Sequence, residues 1–146
     1  MNKHLLVIML GFGCMNVFTD VDTIKFDKYL TCTDNLHLRL NSETYEGEFH
    51  HKTLNDYNFG WLPINNPKQQ GQKIEVNDTY IVWYGPVKSS TFLNRTNLRL
   101  KMNGPKVGKQ DQIQFSYSYQ CRKSSKVEVE DLMKEFMNKL KERQQI

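Results

Sequence analysis

The chain has 146 residues, with Lys+Arg 20 against Asp+Glu 16, a formal net charge of +4, 38% hydrophobic and 25% charged residues. This length and balance suit one domain and exclude a two-domain enzyme, a collagen-like chain and a disordered polyampholyte. The small, evenly spread positive excess argues against nucleic acid as a partner, because affinity there comes from clustered phosphate contacts.

Lys3 and His4 precede the apolar run Leu5-Leu6-Val7-Ile8-Met9-Leu10, which continues through Cys14 and Met15 to Phe18 before Asp20. A short positive region followed by an apolar stretch below the ~20 residues of a membrane-spanning helix predicts a secretory signal peptide over residues 1–19, cleaved between 13 and 20. No later segment is apolar enough to span a membrane, so the mature chain is expected to be secreted without a transmembrane segment. Gly11-Phe12-Gly13-Cys14 resembles a bacterial lipoprotein signal, which implies lipid anchorage through Cys14 as the alternative.

The mature chain then reads as a β domain over 20–123. Strands are expected at Ile24 to Tyr29, Leu36 to Leu40, Thr44 to Phe49, Lys73 to Val76, Tyr80 to Tyr84, Asn97 to Met102 and Ile113 to Cys121, from period-two alternation and β-branched or aromatic enrichment. The last is the clearest, since its odd positions are apolar or aromatic and its even ones small or polar. If the second strand runs back unbroken through Thr33 to Asn35, Cys32 shares the parity of Leu36, Leu38 and Leu40. Turn chemistry at Asn55-Asp56, Asn65-Asn66-Pro67, Asn77-Asp78, Gly85-Pro86 and Asn103-Gly104-Pro105 separates the strands. Pro63 to Gln72 reads as a polar surface loop. The expected fold is mainly β: a single antiparallel β-sandwich or small barrel of about seven strands with a C-terminal amphipathic α-helix.

In an oxidising compartment Cys32 and Cys121 predict one disulfide tying the first strand to the last, and a loop of that length stabilises by roughly 4 kcal/mol in the chain-entropy model. Asn77-Asp78-Thr79 and Asn94-Arg95-Thr96 are sequons beside turn residues, which makes Asn77 and Asn94 candidate glycosylation sites.

After Cys121 the period changes. Val129, Leu132, Met133, Phe136, Met137 and Leu140 form an amphipathic helical stripe within 124–146, with acidic residues at its start, basic residues at its end and Ser124 or Ser125 as cap. The stripe is expected to pack on its own domain, with a partner or membrane surface as the alternative.

No motif for a catalytic nucleophile, phosphate loop or dinucleotide site is present, so no catalytic residue, metal site or cofactor is assigned. His50 and His51 are neighbours on an expected strand and point to opposite faces, while His37 lies on the polar face of its own. The three histidines are read as solvated; a metal site joining His37 to one of the pair is the alternative. The aromatic runs are more suggestive. Trp83 is expected in the core, and Tyr57, Phe59 and Trp61 form a candidate binding surface, since aromatic rings on a rigid β scaffold can stack on a sugar or anchor an interface.

Tyr119-Gln120-Cys121, with Cys32 upstream, is similar to the tyrosine-corner and second-cysteine pattern of immunoglobulin-like domains, which implies a sandwich. The likeness covers three residues, and Trp61 falls much too far beyond Cys32 for the tryptophan of that pattern. The functional expectation is a secreted binding module for an extracellular protein or glycan. A carrier of a small apolar ligand is the first alternative, and a secreted hydrolase using His37, His50 and His51 the second.

Overall fold

The computed structural model describes residues 25–51, 60–106 and 109–144. The expected signal peptide, Cys14, Tyr57 and Phe59 lie outside the described residues. Among the described residues nine strands follow in chain order: β1 (Lys28–Cys32), β2 (Leu36–Leu40), β3 (Gly47–His51), β4 (Leu62–Pro63), β5 (Lys73–Val76), β6 (Tyr80–Tyr84), β7 (Ser90–Asn94), β8 (Arg99–Lys106) and β9 (Lys109–Ser124). Helix α1 (Lys126–Gln144) ends the described chain. All pairings are antiparallel and belong to one sheet ordered β4-β3-β2-β1-β9-β8-β7-β6-β5.

That order is an up-and-down meander joined through β1 and β9, with a seam between β4 and β5 that is unpaired among the described residues. The sheet must curl. β2 and β6 are five steps apart, about 24 Å at the usual spacing of a flat sheet, yet Leu36 and Leu38 share one core cluster with Ile81 and Trp83. The Trp83 indole, 1% exposed, closes the interior by donating from Nε1 to the Tyr45 carbonyl at 2.8 Å. Near the seam, Asn65 Nδ2 donates to the Lys73 and Tyr84 carbonyls, both at 2.9 Å, and so holds the chain after β4 against β5 and β6. Two facing sheets are therefore replaced by a single curled half-barrel, which corrects the sandwich and the strand count of about seven.

Beside β4 the packing is close: a methyl added at Gly47 would lie 2.5 Å from Leu40 Cδ2 and 2.7 Å from Ile64 Cδ1, so the ends of those side chains would have to shift to admit it.

The disulfide Cys32–Cys121 is formed between register partners of β1 and β9. The path to it differs from an unbroken strand: Thr33–Asn35 is a tight 3-10 turn in which Asp34 and Asn35 take positive φ, 62° and 55°. Asp and Asn tolerate that region. The turn makes β1 and β2 a hairpin with Cys32 opposite Leu36, so cysteine and leucines share the core face through pairing. Asn103-Gly104-Pro105 likewise lies inside β8, as register shifts instead of a turn.

Helix α1 starts at Ser125, whose Oγ accepts from the Glu128 amide at 3.1 Å. It folds back along the outer face of β1, where Arg122 pairs with Glu128 at 2.6 Å and Val129 is wholly buried. The rest of the stripe, Leu132 to Leu140, is half-buried. Among the described residues no helix is long and apolar enough to cross a membrane.

Candidate functional site

Antiparallel pairing fixes which side chains look inward. In β1 and β2 these are Leu30, Cys32, Leu36, Leu38 and Leu40; in β6 to β8, Ile81, Trp83, Leu93 and Leu100. The buried residues fill the middle of the curl and leave space toward its two ends. The larger space is a cavity of about 590 Å³ whose walls include Leu36, Phe49, Ile64, Trp83, Met102 and Tyr119. Its rim carries Asp34 from the β1–β2 turn, Gly85 and Ser89 from the β6–β7 turn, Asn103 and the exposed Tyr117.

The exposed wall is mostly apolar, and three of the polar lining residues meet at one corner. His51 ends β3 on the inner face, and its Nε2 lies 3.4 Å from an Asp34 carboxylate oxygen. The His51 ring meets Tyr119 edge-on at 6.2 Å between centroids. Burial raises the Tyr119 hydroxyl above the usual phenol range, and the Asp34 charge and then Tyr117 add to it; the group therefore stays protonated and can donate. Apolar walls with a small convergent polar group are the usual make-up of a small-molecule pocket, and the volume falls within the range of such sites.

His37 and His50 stand elsewhere. Both project from the outer face as register partners, each only 4% exposed, and His51 is 7% exposed. The reading of three solvated histidines is corrected: His50 lies against Trp61, His37 beside Thr31 and Arg122, and His51 within the curl beside Tyr119. The expectation that His50 and His51 point to opposite faces holds. Burial lowers the His37 pKa to about 4, with the His50 and Arg122 charges adding. Burial also lowers that of His50, with His51 second. Thr31 Oγ1 is 3.3 Å from His37 Nδ1 and accepts a hydrogen bond from Ser124 Oγ at 2.9 Å. Among the described residues no group of three His, Cys, Asp or Glu side chains could hold one metal ion.

Of the aromatic trio, Trp61 is half-buried and already engaged. The Arg39 guanidinium sits between its ring and that of Phe26, at 4.6 and 4.5 Å from the centroids. The same cation reaches Glu48 from Nε at 2.8 Å and from Nη2. The edge of Trp61 meets His50 at 6.0 Å. Trp83 lies in the core, as expected.

Asn77 and Asn94 both occupy tight turns in which the side-chain oxygen accepts backbone amides, from Thr79 and Tyr80 and from Thr96 and Asn97. Arg95 links the turns by donating to the Asn77 carbonyl at 2.6 Å.

Sequence reasoning missed the cavity itself. Thr91, Met102 and Asp34 gave no signal alone, because a concave wall is made by strands distant in sequence. The nearest available clue was the alternation of Thr91 and Leu93 in β7, which the surrounding polar residues hid. No family model, curated protein or solved structure matches this chain.

Proposed function

We propose that the protein is an exported carrier of a small, predominantly apolar ligand, held in the 590 Å³ cavity inside the curled sheet. The observation that carries this reading is that cavity: aliphatic, thioether and aromatic walls gain from excluding water, while Asp34, His51 and Tyr119 offer one polar corner to orient a head group. A curled sheet of about this strand number is wide enough to hold one small ligand. The disulfide between β1 and β9 supports export, since such bonds persist in oxidising compartments. Glycans at Asn77 and Asn94 belong to the same proposal; both turns lie at the end of the meander away from the cavity mouth.

The interaction-module reading receives less support, because Trp61 spends its face on Arg39. The hydrolase reading receives less still, since His37 and His50 lie on the opposite side of the sheet from the cavity that His51 lines.

The test is titration of the mature, oxidised protein with the apolar fluorophore 1-N-phenylnaphthylamine, alongside Met102→Trp, which fills the cavity. Saturable enhancement that falls at least tenfold in the variant is expected. No saturable binding, or binding untouched by Met102→Trp, overturns the carrier role. Intact mass of secreted protein before and after glycosidase reports on the glycans; no change removes that part.

A further inference from the structure

The antiparallel order places the β1–β2 and β6–β7 connections at one end of the curl and the β2–β3 and β7–β8 connections at the other. A second cavity, of about 430 Å³, opens at this other end. Its floor is aliphatic, built from Leu30, Leu40, Ile81, Leu93 and Leu98, and its rim is not. Lys28 and Lys123 stand opposite Leu40 and Leu30 in the pairing, so they share the inward face. Arg95 completes the set from the β7–β8 turn. Its guanidinium is held over the Tyr45 ring at 5.4 Å while Nη1 donates to the Asn77 carbonyl at 2.6 Å, which leaves further N–H donors on a cation already fixed at the mouth.

One carboxylate, Asp27, faces these three cations among the described lining residues. Both of its oxygens are occupied by Ser42, through the backbone amide at 2.8 Å and through Oγ. Neither Arg95 nor Lys123 forms an ion pair with a carboxylate among the described residues. Three cations over an apolar floor fit a ligand with one anionic head and a hydrocarbon body, the head exchanging water for charge-assisted hydrogen bonds and the body for aliphatic contact.

We propose that this end of the barrel is a second binding site, distinct from the larger cavity, for a small amphiphile with a single carboxylate or comparable anionic head. Its occupancy does not depend on the larger cavity being a ligand site.

The test compares decanoate, decanol and decyltrimethylammonium by amide NMR titration of the oxidised protein, with Arg95→Gln and the double variant Lys28→Gln/Lys123→Gln. All three positions are exposed, so the variants should keep the fold, which their spectra verify. Decanoate is expected to shift the amides of Leu93, Arg95 and Leu98, to bind at least tenfold more tightly than decanol and the cation, and to lose at least tenfold in each variant. Shifts confined to the Trp83 indole and Met102 would place decanoate in the larger cavity and overturn the second site while leaving the carrier reading intact. Equal binding of decanol, no loss in either variant, or no binding at all overturns it as well.

Discussion

His37 and His50 face each other across β2 and β3 with almost no exposed surface, which gives the fold a pH dependence of predictable sign. A histidine held near a pKa of about 4 against an ordinary 6.5 refuses a proton that the unfolded chain accepts. Stability is therefore full above about pH 6.5, declines as pH falls toward about 4, and stops declining from this source below that. His50, lowered in the same direction, adds to the slope. Asp27, Glu75, Glu128 and Glu135 have lowered pKa values, so their losses begin only as pH enters the carboxylate range. Allowing for partial screening, we expect urea unfolding to show a loss of about 2 kcal/mol between about pH 7 and about pH 4.5. His37→Gln should remove most of that slope even if it lowers stability throughout. An unchanged slope in the variant would show that the outer-face pair does not set the acid limit.

At the scale of the element, helix α1 separates buried from merely apolar positions. Val129 has no exposed surface, whereas Val127, two residues earlier, is 65% exposed. Val129→Ala removes two buried carbons and leaves a gap against β1, so it should cost about 2 kcal/mol in chemical denaturation. Val127→Ala should stay within about 0.5 kcal/mol. Equal effects would mean that the helix does not dock through Val129. Such elements were legible to the extent that their signals are local. The helical stripe, its Ser125 cap, and the strands Lys73–Val76 and Tyr80–Tyr84 appear where periodicity and turn residues place them. β7 was not legible, because Ser90, Asn94 and the sequon beside it read as turn chemistry while its only inward residues are Thr91 and Leu93. The turn at Thr33–Asn35 was hidden for the opposite reason: a three-residue hairpin preserves the parity of a continuous strand, so Cys32 and Leu36 face the same way under either reading. The buried histidines escaped because their neighbours, Trp61 beside His50, Thr31 and Arg122 beside His37 and Tyr119 beside His51, come from other strands and loops, and nothing local to β2 or β3 announces them.

For the whole molecule the decisive feature is how the curl is kept closed. An odd number of strands joined in an antiparallel meander leaves β4 and β5 running the same way, so no hairpin can zip the seam, and the backbone groups there need another partner. Asn65 supplies one with a single amide nitrogen that donates to two carbonyls, Lys73 and Tyr84, both at 2.9 Å. The opposite junction, β1 with β9, carries the disulfide. The molecule thus has a covalent hinge on one side and a hydrogen-bonded clasp on the other, with Ile64 packed over Gly47 beside the clasp and lining the larger cavity. Asn65→Ala should cost about 1–2 kcal/mol, the value of two partly exposed hydrogen bonds. Asn65→Asp keeps the shape but turns the donor into an oxygen facing two carbonyl oxygens, so it should cost more, about 2–3 kcal/mol. The distinguishing readout is hydrogen exchange: in either variant the amides of β5 and β6 should exchange faster, while those of β1 and β9 hold their protection behind the disulfide. Uniform loss of protection would mean that Asn65 acts on global stability alone. Unchanged exchange at β5 and β6 would mean that packing of Ile64 and Trp83, not the clasp, keeps the curl closed around its cavity.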